Sequence, residues 1–183
     1  MQLLRRTDAE LTPGLTFEEI STVEDRFGFR FHPEHGEFLR VHLPVGQGWP
    51  DWRSGDAASL EERLAWPVEG VLSHVHGIDG FWPRTWGPRP DNQTEALGVA
   101  RRRLESAPRL IPVFSHRYLP AAPAPSPAPV FSVYQTDVIY YGSDLGDYVA
   151  HEFRLVDEVS AGSPRVRIPF WSDLAEGAED VDL

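Results

Sequence analysis

A metal site in this chain would have to be built from His74 and His76 in the run SHVHG, with His116 and His151 as further ligands. No Cys is present, so imidazole and carboxylate are the only strong ligands on offer. The spacing argues against such a site. Side chains two positions apart on a helix point away from each other, and no Glu stands at the offset of an HExxH pair. A nucleophilic set drawn from Ser115, His116 and Asp137 fares no better. Neighbouring side chains on a strand face opposite sides, and no GxSxG turn exists to present a nucleophile. The acid pairs Glu18-Glu19, Glu61-Glu62 and Asp157-Glu158 fall in helical stretches and read as solvated faces. There is no P-loop and no GxGxxG. The expectation is a chain with no catalytic residues, no metal and no cofactor: not an enzyme.

Aromatic residues carry a stronger signal. The runs GQGWPDWR (Gly46 to Arg53) and GIDGFWPRTWGPRP (Gly77 to Pro90) concentrate Trp49, Trp52, Trp82 and Trp86 beside Arg53, Arg84 and Arg89. Trp, Tyr and Arg are the common anchors of protein interfaces, and Trp faces attract cations. These loops either line a groove or fold back over the sheet as a second small core, and one Trp can do both. Trp52, Arg53, Trp82, Trp86, Arg117, Asp137 and Tyr141 are the residues expected near a functional groove.

The elements that must position them read as follows. Thr16 and Glu19 form a capping box, Leu15 staples onto Ile20, and Gly28 closes a first helix. Pro33 opens a second helix carrying Phe38, Leu39 and Leu43, stopped by Pro44 and Gly46. Ser59 and Glu62 repeat the capping spacing before Leu60, Leu64 and Trp66, and Pro67 restarts a helix through Val75. Asp91 or Thr94 caps the next, with Ala96, Leu97, Ala100 and Leu104 as its apolar stripe. Short runs rich in Val, Ile, Phe and Tyr then predict strands at Leu110 to Phe114, Val130 to Tyr134 and Val138 to Tyr141. Between the first two lies the tract LPAAPAPSPAP, expected to be a polyproline-like surface connection. Asp144 caps a helix bearing Leu145, Tyr148 and Val149. Val166, Ile168 and Phe170 alternate like an edge strand. The tail from Asp173 has five acids and no base, and is expected to be frayed and solvated.

At 183 residues the chain reads as one domain, residues 1–183, with the acidic tail beginning near 172. The net charge is -11 and all 17 basic residues are Arg. Duplex binding needs a basic surface, and the one dense cluster, Arg101-Arg102-Arg103, is spread around a helix. Nucleic acid is therefore not an expected partner, whereas a basic protein is. No window approaches the roughly 18 apolar residues of a membrane span. The N-terminus, MQLLRRTDAEL, lacks the apolar core of a signal peptide, so a cytoplasmic monomer away from the membrane is expected.

In this order of elements the chain resembles the SUKH superfamily, which includes the Smi–Knr cell-wall regulators and many bacterial immunity proteins. The resemblance rests on LTFEEISTVEDRFGFRFHPEHGEFLRVHLPVG, with its P-x-x-x-x-F-L run from Pro33 to Leu39, and on LIPVFS, PVFSVYQ and DVIYYGSDLGDYVAHEF, ending in the pair Glu152-Phe153. It covers somewhat under half the chain. The middle, Gly46 to Ala107, is longer and richer in Trp than the family pattern, and the Pro-Ala tract stands where members place a short turn. The resemblance implies an α+β fold, a mostly antiparallel sheet flanked by helices. It also implies a binding scaffold without a catalytic constellation, which in many bacterial members neutralises a toxin by direct contact and in others is a housekeeping or regulatory binder; with the acidic charge, a basic toxin domain such as a nuclease is the expected partner. A small-molecule or regulatory binder using a Trp-rich pocket is the alternative, and a hydrolase or metal enzyme using His116 or His151 is a more distant one.

Overall fold

A computed structural model describes residues 10–77, 80–153 and 166–177, and within them the chain is α+β, with two antiparallel sheets flanked by helices. The small sheet pairs β1 (Glu10–Pro13) with β2 (His42–Val45), from Glu10 opposite Val45 to Pro13 opposite His42. Between these strands run α1 (Phe17–Phe27) and α2 (Pro33–Val41). The capping box forms as expected: Glu19 N–H donates to Thr16 Oγ1 at 3.1 Å, and Thr16 N–H donates to the Glu19 carboxylate at 2.7 Å. Gly28 ends α1 at φ 66°, a left-handed conformation that costs a residue without Cβ nothing. Pro33 starts α2, and the His32 ring caps it by accepting the Glu34 N–H at 3.3 Å.

Pro67 does not restart a helix. Helix α3 (Ala57–His76) runs through it unbroken. A proline has no N–H to give the carbonyl four residues back, here that of Arg63. The buried Tyr118 hydroxyl supplies the missing donor, at 3.0 Å from Arg63 O. The cap of α3 is Asp56, whose carboxylate accepts the Ser59 N–H at 3.0 Å, one turn earlier than the Ser59 spacing suggested. A 3-10 turn, Arg84–Trp86, interrupts the second aromatic loop, and Asn92 caps α4 (Gln93–Leu104) in place of Asp91 or Thr94.

The larger sheet is an antiparallel meander of β3 (Leu110–Phe114), β4 (Arg117–Pro120), β5 (Val130–Tyr134) and β6 (Asp137–Gly142), in that spatial order. The two-residue turns Ser115-His116 and Gln135-Thr136 lie at the same end of the sheet, and each places its first residue at positive φ (49° and 56°). The Pro-Ala tract loses its first residues to β4, and the rest is fastened to the start of α2. Ala122 N–H donates to Arg30 O at 2.9 Å, Ser126 Oγ–H to Glu34 at 2.7 Å, and His32 Nε2–H to Pro125 O at 3.2 Å.

Asp144 caps α5 (Leu145–Glu152), accepting the Asp147 N–H at 2.8 Å. The alternation of Val166, Ile168 and Phe170 does not make a strand. The Ile168 N–H instead donates to Ser172 Oγ at 2.7 Å, and the chain turns into α6 (Trp171–Ala175). Trp171, Ser172 and Leu174 are buried, so the acidic tail is packed at least to that point. Its end (178–183), like the N-terminal residues 1–9, lies outside the described residues. Among the described residues no helix is long and apolar enough to cross a membrane.

Each face of the meander carries its own core. Tyr118, Phe131, Val133 and Val138 point toward α3, α4 and α6, meeting Val71, Leu72, Val75, Leu104 and Trp171. Val113, Leu119 and Val130 point the other way, against Trp49 and the Leu145, Tyr148 and Val149 face of α5. Between the small sheet and α3 a third cluster gathers Leu15, Leu39, Leu43, Trp52, Leu60 and Leu64. Gly142 lets α5 approach the end of β6: a Cβ there would lie 2.6 Å from Tyr148 Cβ and 2.8 Å from its backbone N.

Candidate functional site

The loop tryptophans are spent on packing. Trp49 stacks at 5.6 Å on Phe153, with Phe114 at 4.8 Å. Trp52 meets Phe27, Phe29 and Phe31 edge-on and is buried. Arg53, next to it, straps α1 to β1: its guanidinium reaches Glu19 at 2.6 Å and the carbonyls of Pro13 and Gly14 at 3.0 and 2.9 Å. That hydrogen bond holds the Glu19 carboxyl at about 2, below the usual carboxylate range. In the other loop Trp86 is buried against Phe81 and Phe170, while Trp82 lies edge-on to it and donates its indole N–H to Gly87 O at 2.7 Å. Trp52 on the one hand, and Trp86 with Trp82 packed against it on the other, thus belong to two separate clusters.

Arg117 and Tyr141 are brought together on the α5 face of the sheet. The guanidinium lies 3.7 Å from the Tyr141 ring centroid and bonds Glu152 at 3.2 Å and Ser132 Oγ at 2.8 Å. With Phe153 stacked on Trp49, both members of the Glu152-Phe153 pair tie α5 to the rest of the fold. Asp137, at the start of β6 and opposite Tyr134, is exposed on the same face.

That face opens toward the turns. In β5 and β6 the α5 side is covered near Val130 and Gly142 and bare near Tyr134 and Ile139, which are 58% and 48% exposed. Ile139 sits opposite Ser132, making it the diagonal neighbour of Tyr134. Trp66 of α3, 42% exposed, reaches over the end of the sheet. Its indole N–H donates to Val133 O at 3.3 Å, and its ring lies 6.4 Å from that of Tyr134. Between these rings and the Ser115-His116 turn is a cleft of about 520 Å³, lined also by Gln47, Glu62, Arg63 and Tyr118. Arg63 is held by Gly48 O at 3.1 Å. Glu62 and Asp137 make no ion pair among the described residues.

In the sequence Trp66 groups with Leu60 and Leu64 in the helix that the Ser59–Glu62 spacing predicts. The stripe that is buried is Leu60, Leu64, Pro67, Val71, Leu72 and Val75, and position 66 is out of phase with it by about 200° at 100° per residue. Phase was therefore a signal that could have found the residue. Tyr134 and Ile139 likewise alternate with the buried Val133 and Val138.

A second concavity, about 560 Å³, runs between α2 and α5 with Pro127 on its wall. Its lining is Pro33, Phe38, Val41, Leu145 and Val149, with Glu34, Glu37 and Asp144 at the rim.

The chemistry available is slight. Ser115 and His116 do approach, Oγ to Nδ1 at 3.2 Å, because they form a turn and do not lie on a strand. Burial, then the Arg117 charge, lowers the His116 pKa and so favours the neutral ring. No carboxylate hydrogen-bonds that ring among the described residues. His74 bonds Thr136 in the neighbouring turn, and no group of three His, Asp or Glu side chains among the described residues could hold a metal ion. Compared with known proteins, the chain matches no family model, no curated protein and no solved structure.

Proposed function

We propose that this chain is a non-enzymatic protein-binding domain of SUKH type, with bacterial toxin immunity as its sharpest form and a basic toxin domain, such as a nuclease, as its partner. One observation carries the reading. Five large apolar side chains are exposed among the described residues: Phe17, Val41, Trp66, Tyr134 and Ile139. Phe17 is covered on one face by the Arg40 guanidinium, 3.6 Å from its centroid, and Val41 lines the α2–α5 groove. The other three form a single patch at one end of the sheet, beside the carboxylates of Glu62 and Asp137. Clustered exposed apolar residues mark interaction sites, and Trp and Tyr are the residues that anchor them. Acids around the anchors, on a chain of net charge -11, favour encounter with a basic surface.

Tagged protein is used to capture partners from the native host. The reading expects one stoichiometric basic protein that arrests growth when expressed alone and is neutralised when this chain is co-expressed. Capture of nothing, or of a protein whose toxicity this chain does not relieve, counts against immunity. A small-molecule binder is the second reading, supported by the 520 Å³ cleft between Trp66 and Tyr134. A shift in Trp fluorescence on adding a metabolite, with no protein captured, favours it.

A further inference from the structure

The Pro-Ala tract has a role that its composition hides. Three hydrogen bonds, from Ala122, Ser126 and His32, hold it against the α2 entry, and this leaves Pro127 as one wall of the 560 Å³ groove. The floor is well packed. Phe38 stacks on Trp49 at 6.2 Å, and Leu145 and Val149 are buried in the same cluster. Val41, 40% exposed, stands at the end of α2. The groove is therefore apolar and open.

Its rim is acidic. No lining residue is basic. Each rim carboxylate uses one oxygen internally: Glu34 Oε1 accepts from Ser126, Glu37 Oε2 from Arg40, and Asp144 Oδ1 from the Asp147 N–H. The second oxygen of each receives no hydrogen bond among the described residues. We infer that the groove seats a cationic amphipathic polypeptide segment, with its apolar side chains on the Phe38–Leu145–Val149 floor and its Lys or Arg side chains on Glu34, Glu37 and Asp144. Helix-in-groove recognition has this form, an apolar row giving affinity and flanking charge giving register. The inference rests on the protein-binding reading and assigns the partner a second contact, remote in sequence from the Trp66 patch.

The probe is a fluorescently labelled peptide of about 14 residues with Leu at i, i+3, i+4 and i+7 and Lys elsewhere, against a control with Glu for Lys. Anisotropy is expected to give a Kd on the order of 10 μM for the Lys peptide and at least about tenfold weaker binding for the Glu peptide. Val41→Arg and Glu37→Lys, both at exposed positions of α2, are expected to weaken the Lys peptide by at least about tenfold, with circular dichroism unchanged. Glu105→Lys, a matched charge reversal at the exposed end of α4, is expected to leave it unaffected. Equal binding of the two peptides means unspecific apolar adhesion and overturns the inference. So does no binding at about 1 mM, or wild-type affinity in Val41→Arg. A wild-type dimer in sedimentation that Val41→Arg dissociates assigns the groove to a second copy, and also overturns it. If Lys-peptide binding is as expected while no host protein is captured, the groove stands and the immunity reading fails.

Discussion

His35 gives the fold a built-in sensitivity to acid whose size follows from its surroundings. It lies on α2, 1% exposed, with its ring edge-on to Phe31 at 5.0 Å and its Nδ1 without a hydrogen-bond partner among the described residues. Burial, then the nearby His32, lowers its pKa to about 3. Unfolded, the ring returns to about 6.5. A depressed pKa on a base means that the unfolded chain binds the extra proton between those values. Stability is thus complete above about pH 6.5 and is lost as pH falls toward 3, at about 1.4 kcal/mol per pH unit. From pH 7 to pH 5 the loss is about 2 kcal/mol, equivalent to roughly 4–8 °C in Tm for a chain of this size.

The perturbation is His35→Met, which fills similar space with an apolar, adaptable side chain that cannot titrate. Thermal melts at half-unit steps from pH 7 to pH 4.5 are compared with wild type. The wild-type Tm is expected to fall more steeply, with the curves separating by about 2 kcal/mol at pH 5. Parallel curves would refute it, whatever their offset.

Other outcomes follow from single contacts. Glu152→Ala strands Arg117, whose side chain is only 11% exposed, and is expected to cost about 2 kcal/mol in urea denaturation. Gly142→Ala forces a Cβ onto the Tyr148 backbone at 2.8 Å and should cost about 2 kcal/mol or more, checked by the same denaturation midpoint. Trp52→Ala empties a core site and is expected to cost about 3–5 kcal/mol, whereas Trp66→Ala should stay within about 1 kcal/mol. Equal destabilisation by the two Trp changes would contradict the burial difference on which the patch rests.

Much of the fold was legible because local chemistry and tertiary context agree there. Thr16 with Glu19, Gly28, Pro33 and Asp144 act where their spacing puts them, and the runs Leu110 to Phe114, Val130 to Tyr134 and Val138 to Tyr141 become strands. The failures have two causes: a partner distant in sequence overrides the local signal at Pro67 and in β1 and β2, and a competing hydrogen bond four residues away does so at Ile168. Pro67 reads as a break until Tyr118, 51 positions away, supplies the donor its ring lacks. Strands β1 and β2 are four residues each, with a Pro in both, and only their pairing identifies them. Val166 to Phe170 alternate in type, but the Ser172 hydroxyl captures the Ile168 N–H and starts a helix. Site residues were harder still. For the Trp residues of the two Pro- and Gly-rich loops, composition allows both groove lining and core, and it does not choose between them; in the structure Trp49, Trp52 and Trp86 are buried. Trp66, on a regular helix, was obscured by being grouped with its buried neighbours, although its phase set it apart. Asp137 is the one expected residue that lies within the exposed patch, and Arg117 and Tyr141 adjoin it on the same sheet face.

The most direct measurement is the affinity of the captured host protein for wild type and for the Trp66→Ala, Tyr134→Ala double variant, with Tm measured on both. Binding through the patch predicts a loss of at least about a hundredfold, or roughly 3 kcal/mol, at closely similar Tm. Equal affinity in the variant, or a partner that is not basic, would contradict it.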